Sequence, residues 1–153
     1  MDDCRTCWLL WRRDAGDAPD WDCIVRTPAW DVVHCDSTSL LGWIVLVARR
    51  HVTALSDLTD DEAADLGPLV RDVSRALHEL LECERTYVVQ FAEHPQHRHV
   101  HVHVVPRVAA LPADQQGPGI FQFLGVDEAD RISEEAMNEF ADGLRALLTS
   151  VRR

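Results

Sequence analysis

The seven residues from His99 to Val105, HVHVHVV, place a histidine at every second position with β-branched valines between them. Side chains alternate between the two faces of a β-strand, so the pattern predicts a strand whose three imidazoles share one face. Neighbouring imidazoles then stand about 6.5–7 Å apart, which lets one act on a bound group while another handles its charge. A solvated or structural histidine face and a purely metal-binding tract remain as alternatives.

Composition narrows the classes of protein that this chain can belong to. A chain of 153 residues with 46% hydrophobic residues predicts one compact domain over residues 1–153. No apolar run approaches the roughly 18 residues of a membrane span, and residues 1–20 lack the pattern of a secretory signal. The net charge of −11 argues against a groove for duplex nucleic acid, although a local cluster of His and Arg can still hold a small phosphorylated ligand. Five cysteines, an odd count, predict a reducing, cytoplasmic setting with free thiols or a metal site.

Hydrophobic periodicity predicts an α+β fold. Four segments have the pattern of strands, namely residues 30–35, 43–48, 86–91 and 99–105. Thr59 and Glu62 form a capping box that predicts the start of a long helix, which Gly67-Pro68 should kink or delay. A last amphipathic helix is predicted from about Ser133 to Leu148. Residues 14–20 and 109–119 are expected to be loops, and the five tryptophans are expected to lie mainly in the core.

The chain resembles the histidine triad (HIT) superfamily over residues 4–107. His99 to Val105 matches the motif His-φ-His-φ-His-φ-φ, and Pro106-Arg107 often follows it in that family. The segment VLVARRH, ending at His51, is similar to the family strand that ends in basic residues and a histidine. The resemblance implies an antiparallel sheet with one long helix and a C-terminal helix, residues 108–153 being an extension of the family core. It also implies a homodimer.

The resemblance implies a nucleotide hydrolase. The middle histidine, His101, would attack the α-phosphorus and form a nucleotidyl-histidine intermediate, which water would hydrolyse. His103 would contact the phosphate and, if protonated, stabilise developing charge. Family branches that transfer nucleotides usually have glutamine at the third position, so His103 favours hydrolysis of an adenosine phosphoramidate or a dinucleoside polyphosphate. The alternative function is nucleotide binding or scaffolding with little turnover.

Cys4 and Cys7 form a C-x-x-C pair, which alone fits a redox pair, half of a metal site or coincidence. Some family members bind structural zinc through such a pair. The resemblance then implies the ligand set Cys4, Cys7, His51 and His99, a Cys₂His₂ combination suited to a closed tetrahedral site. In a further reading the protein is a zinc protein whose triad serves only as ligands, which predicts more than one zinc per chain and no nucleotide binding.

Several positions depart from the family pattern. The usual Gly-Gln-Ser/Thr stretch before the triad is replaced by EHPQHR at residues 93–98, where Gln96 is the candidate phosphate contact with His97 or Arg98 as a second. Asp36 lies where family members place a ribose-binding acid, although a turn-capping aspartate is equally compatible. The family's Pro-Gly-His turn is Leu-Gly-Trp here, ending at Trp43.

Overall fold

A five-stranded antiparallel sheet forms the centre of the computed structural model, which describes residues 4–151. Its spatial order is β1-β2-β3-β5-β4. The strands are β1 (Val25–Arg26), β2 (Trp30–His34), β3 (Ile44–Ala48), β4 (Arg85–Val89) and β5 (His101–Arg107). The helices are α1 (Arg5–Ala15), α2 (Asp60–Leu81) and α3 (Glu134–Val151), and short 3₁₀ turns connect several of these elements. The predicted α+β class is confirmed.

The period-2 pattern of the histidine segment separates the two faces of the sheet as predicted. Val102 and Val104 belong to the larger core, which α2 and α3 cover. His101 and His103 lie on the opposite face, in register with Val47 and Val45 of β3. His99 precedes the regular strand, but Val100 extends the pairing by donating to the carbonyl of Val52 at 2.7 Å. The sheet therefore has one helix-covered face and one face that carries imidazoles.

The long helix α2 begins where the sequence predicts. The Thr59 hydroxyl accepts from the Glu62 backbone N–H at 3.3 Å, and the Glu62 carboxylate accepts from the Thr59 N–H at 2.8 Å. The predicted delay of the helix at Pro68 is wrong, since α2 runs unbroken from Asp60 to Leu81. Pro68 and Ala64 both lie on the exposed side of α2. Water can therefore satisfy the Ala64 carbonyl that loses its partner at a proline.

The sequence prediction missed α1, and it misplaced two tryptophans. Trp30 and Trp43 are fully buried, as expected, but Trp8 and Trp11 on α1 are 49% and 63% exposed. Helix α1 is capped at its C-terminus by Gly16, whose φ of 78° is the left-handed conformation that glycine adopts readily. The expected loop at residues 109–119 contains the 3₁₀ turn Ala113–Gln115 and the start of a second one, Gly117–Phe123. No helix within residues 4–151 is long and apolar enough to cross a membrane.

Candidate active site and metal site

A cavity of about 930 Å³ lies against the face of the sheet that carries the imidazoles. Its floor contains Val33, Val45 and Val47, together with His101 and His103. The walls come from the start of α1, the segment before β5 and the 3₁₀ turn Gly117–Phe123. A cavity of this size, with an apolar floor and a few convergent polar groups, has the character of a small-molecule site.

The backbone fixes the tautomer of His101. Its Nδ1 lies 2.7 Å from the carbonyl oxygen of His99. A carbonyl oxygen can only accept, so Nδ1 carries the proton and Nε2 keeps its lone pair. Burial lowers the pKa of His101, and the hydrogen bond to the His99 carbonyl opposes that shift. His101 is therefore a neutral imidazole near pH 7 with one nucleophilic nitrogen.

Trp43 fixes the tautomer of His103 in the opposite sense. The indole N–H of Trp43 donates to Nδ1 of His103 at 2.9 Å, and the two rings meet edge to face at 87°. An indole nitrogen can only donate, so Nδ1 of His103 is unprotonated and Nε2 carries the proton. Burial, with a smaller contribution from the charge of His101, lowers the pKa of His103 to about 4. The protonated His103 considered from the sequence is thus replaced by a neutral hydrogen-bond donor.

His99 turns away from the cavity and contributes to a second cluster. Its imidazole is fully buried, and Nε2 donates to the Ala48 carbonyl at 2.6 Å, which leaves the lone pair of Nδ1 free. That nitrogen meets Cys4, Cys7 and His51, whose ligand atoms all lie within 4.8 Å of one another. The structure therefore brings together the four residues that the sequence nominates as metal ligands.

The spacing within this cluster matches a tetrahedral zinc site. Zinc bonds of about 2.0–2.1 Å to nitrogen and about 2.3 Å to sulfur imply about 3.4 Å between nitrogens and about 3.6 Å between nitrogen and sulfur. The two Nδ1 atoms of His51 and His99 are 3.3 Å apart. Cys7 Sγ lies 3.2 Å and 3.6 Å from these nitrogens, and Cys4 Sγ lies 3.8 Å from that of His99. Both the donor set and its dimensions fit a metal ion.

The two thiols of the cluster can ionise together only when a cation compensates their charge. Burial, followed by the hydrogen bond and charge of Cys4, raises the pKa of Cys7 to about 11. Two thiolates cannot stand this close together unless a positive charge compensates them. A bound divalent metal would supply that charge and displace both protons, so metal affinity should fall as the pH is lowered.

Not all of the nucleotide-binding residues nominated from the sequence reach the cavity. Asp36 lines it from an exposed position. Gln96 and Arg98 are exposed and lie outside the cavity lining, whereas His97 between them lies within it. The 3₁₀ turn Pro95–His97 separates these side chains by directing Gln96 to solvent. His97, which the sequence offered only as a second contact, takes the position expected of Gln96.

Sequence reasoning missed the contribution of α1 to the cavity. Arg5, Thr6 and Leu9 line it, and the Thr6 hydroxyl lies 2.9 Å from Nδ1 of His97. The signal was the spacing of the C-x-x-C pair, since residues three apart share one side of a helix. A helix that brings Cys4 and Cys7 to His99 also brings its neighbouring residues close to the triad.

The comparisons with known proteins agree with the sheet, the cavity and the alternating histidines. The family model of the HIT domain matches residues 22–110, more than half of the chain. The protein belongs to the HIT domain family. The curated adenosine 5'-monophosphoramidase of Schizosaccharomyces pombe is 26% identical over 83 residues. That match spans 52% of this chain and 56% of the length of the relative.

Solved structures share the fold across nearly the whole chain. A zinc-bound histidine triad family protein from Mycobacterium smegmatis superposes with a TM-score of 0.65 and 20% identity, covering 97% of this chain and 95% of the other. A hypothetical histidine triad nucleotide-binding protein from Sulfolobus tokodaii gives a TM-score of 0.70 at 13% identity, covering 96% and 95%. At these identities the superpositions establish the fold, and they confirm the HIT-like architecture.

Proposed function

We propose that this protein is a nucleotide hydrolase that cleaves at the α-phosphate through a nucleotidyl intermediate on His101. The observation that supports the proposal is the hydrogen bond from His101 Nδ1 to the His99 carbonyl. It leaves Nε2 as the only nucleophilic nitrogen of a neutral ring at the cavity floor. Membership of the HIT domain family and the similarity to a phosphoramidase agree with this class of activity.

In the first step, the lone pair of His101 Nε2 forms a bond to the α-phosphorus, and the bond from phosphorus to the leaving group breaks. The leaving group departs with the electron pair. The imidazole ring becomes cationic, and its Nδ1–H still donates to the His99 carbonyl, a charge-assisted bond stronger than the one in the free enzyme. His103 donates its Nε2–H to a phosphoryl oxygen or to the leaving atom as negative charge develops there.

In the second step, a water oxygen attacks the same phosphorus and the P–N bond to His101 breaks. The electron pair returns to Nε2, and the attacking water releases one proton to solvent, which balances the proton that the departed leaving group takes up from solvent. One water is consumed overall, and a nucleoside monophosphate and the protonated leaving group are released. Two displacements on a neutral imidazole replace one difficult attack by water.

Asp36 and His97 are the proposed nucleotide contacts. Asp36 lies at the cavity in an exposed position, where its carboxylate can accept from ribose hydroxyls. His97 lies beside it in the lining and takes the role first expected of Gln96 and Arg98. These assignments complete a site with a nucleophile, a neutral donor, a ribose acceptor and a phosphate contact.

Product analysis tests the function. The purified protein is incubated with adenosine phosphoramidate, diadenosine polyphosphates and a nucleotide sugar, and release of AMP or another nucleoside monophosphate is measured. Wild type should release monophosphate from at least one of these, and His101→Ala should release none. His78→Ala is the matched control, because His78 is exposed on α2 away from the cavity.

The second candidate function is nucleotide binding with little turnover, and the exposed position of Gln96 favours it. That function predicts nucleotide affinity in wild type and in His101→Ala alike, with no monophosphate released by either. Turnover in wild type that disappears in His101→Ala would exclude it.

We propose that the Cys4, Cys7, His51 and His99 cluster holds a structural zinc ion. Bound zinc would tie the start of α1 to the segments that follow β3 and precede β5. Because His99 also supplies the carbonyl that orients His101, the cluster and the nucleophile share one residue. Zinc content of one ion per chain by atomic absorption, lost in Cys7→Ser, is the expected result. A second ion held by the triad would contradict it.

We also propose a homodimer formed through β4. This strand is an edge of the sheet, with unpaired backbone groups available to a second copy. Val88 on β4 and Leu80 on α2 are 50% and 37% exposed. Light scattering should give twice the monomer mass for wild type and the monomer mass for Val88→Lys. Unchanged mass in that variant would contradict an interface at β4.

A further inference from the structure

Two further nitrogen-bearing side chains, Arg5 and His94, line the cavity together with His97, the proposed phosphate contact. Arg5 comes from the first turn of α1, His94 caps the 3₁₀ turn Pro95–His97, and His97 is the last residue of that turn. All three come from parts of the chain outside the triad strand. They form a patch at one wall of the cavity, called here the basic wall.

Hydrogen bonds hold the two histidines of the basic wall in place. His97 is half-buried, and its Nδ1 lies 2.9 Å from the Thr6 hydroxyl, which ties the ring to α1. The Gln96 backbone N–H donates to Nδ1 of His94 at 3.3 Å, so a neutral His94 carries its proton on Nε2 and is a donor. The two rings lie 5.5 Å apart between centroids. The wall therefore presents oriented donors.

The basic wall brings a fixed positive charge to the cavity of an acidic protein. Arg5 lines the cavity, and its guanidinium stays protonated at any ordinary pH. Asp36 and Glu93 line the same cavity from exposed positions. In a chain with a net charge of −11, the guanidinium and the two imidazoles mark the part of the cavity that suits an anionic group.

We propose that Arg5, His94 and His97 form a subsite for phosphate groups beyond the α-phosphorus, so that the preferred leaving group is a phosphate or polyphosphate chain. The inference rests on the proposed hydrolase and selects among its substrates. A dinucleoside polyphosphate extends past the scissile bond with anionic oxygens that this wall can bind. An adenosine phosphoramidate ends in an uncharged nitrogen there and gains nothing from the wall.

The chemistry of the leaving group is consistent with this choice. After attack by His101 Nε2, the bond from the α-phosphorus to the bridging oxygen breaks, and the oxygen leaves with the electron pair as a phosphate anion. A phosphate leaving group needs no proton near pH 7, whereas an amine does. The guanidinium of Arg5 would stabilise the negative charge that develops on this oxygen.

Paired substrates test the subsite. The ratio kcat/KM is measured for diadenosine tetraphosphate and for adenosine phosphoramidate with wild type, Arg5→Ala and His94→Gln. Losing one hydrogen bond to a charged group lowers kcat/KM by about 10- to 100-fold. We expect kcat/KM to fall by this factor for diadenosine tetraphosphate and to change by less than about twofold for adenosine phosphoramidate. Arg75→Ala, on the exposed surface of α2, removes the same charge as Arg5→Ala and should change neither substrate.

Binding in the background of His101→Ala separates failure of this inference from failure of the hydrolase itself. Calorimetry compares diadenosine tetraphosphate with AMP, and Arg5→Ala or His94→Gln should weaken only the longer ligand. If a variant loses the same affinity for both ligands, or if neither variant loses affinity, the subsite is refuted even if the protein hydrolyses nucleotides. If the variants bind only diadenosine tetraphosphate more weakly and the wild type shows no turnover, the subsite is supported and the hydrolase is refuted.

Discussion

Removing the metal is the perturbation whose consequences the structure defines most fully. Helix α1 buries few side chains of its own, with Thr6, Leu10 and Arg13 buried while Trp8 and Trp11 remain exposed. Metal bonds from Cys4 and Cys7 would therefore supply much of what holds this helix against the sheet. Chelation should destabilise the whole chain and should also open the cavity wall that α1 forms.

The size of the stabilisation follows from the thermodynamic linkage between zinc binding and folding. A ligand present at about 1,000 times its dissociation constant stabilises the folded state by about 4 kcal/mol. For a chain of this length each kcal/mol moves Tm by about 2–4 °C. Stripping zinc should thus lower Tm by about 8–16 °C in a calorimetric scan. Cys7→Ser should start from the lower Tm and should not respond to a chelator.

Cys23→Ser is the matched control, since Cys23 is a half-buried thiol outside the ligand cluster. It should keep both the zinc ion and the full response to chelation. A wild-type protein that loses its zinc while Tm falls by less than about 2 °C would refute the structural role. Retained affinity for nucleotide after chelation would refute the dependence of the cavity on α1.

Three further predictions concern single side chains. Trp43→Phe keeps an aromatic ring but removes the N–H that donates to His103. We expect ¹⁵N NMR to show a second tautomer of the His103 imidazole and turnover to fall about tenfold. An unchanged tautomer would contradict the role assigned to Trp43. Glu62 has a pKa lowered to about 2, chiefly by its hydrogen bond to Arg50. Its contribution is therefore present above the unfolded pKa of about 4.3 and disappears as the pH falls towards 2. Glu62→Gln should cost less than about 1 kcal/mol at pH 7 because its partner Arg50 is exposed and solvent screens the ion pair. Urea titrations at several pH values should show this difference shrinking on acidification. Leu144→Ala, at a fully buried position of α3, should cost about 2–5 kcal/mol in urea unfolding, and a cost below about 1 kcal/mol would contradict its place in the core.

Features with a strict local period were predictable from the sequence. The alternation of His and Val fixes which face each side chain of β5 takes, because a strand has a period of 2. The capping box at Thr59 marks the start of α2, because both of its hydrogen bonds are local. The four-residue metal cluster came from a resemblance, and the structure brings those residues together.

Other features were not predictable, either because they depend on contacts distant in sequence or because their local pattern is weak. The tautomer of His103 depends on Trp43, which lies 60 residues away in the sequence and directly precedes β3. The position of Gln96 depends on a single 3₁₀ turn that directs neighbouring side chains apart. Helix α1 escaped prediction because its exposed Trp8 and Trp11 blur the apolar stripe by which an amphipathic helix is recognised.

Trapping the covalent intermediate on His101 is the decisive experiment for the proposed hydrolase. The protein is mixed with a nucleotide substrate that it turns over, quenched within milliseconds at alkaline pH, where a phosphoramidate bond survives, and analysed by peptide mass spectrometry. The expected result is a nucleoside monophosphate adduct on His101, and neither adduct nor product in His101→Ala. Monophosphate release by His101→Ala, or an adduct on a different histidine, would contradict it.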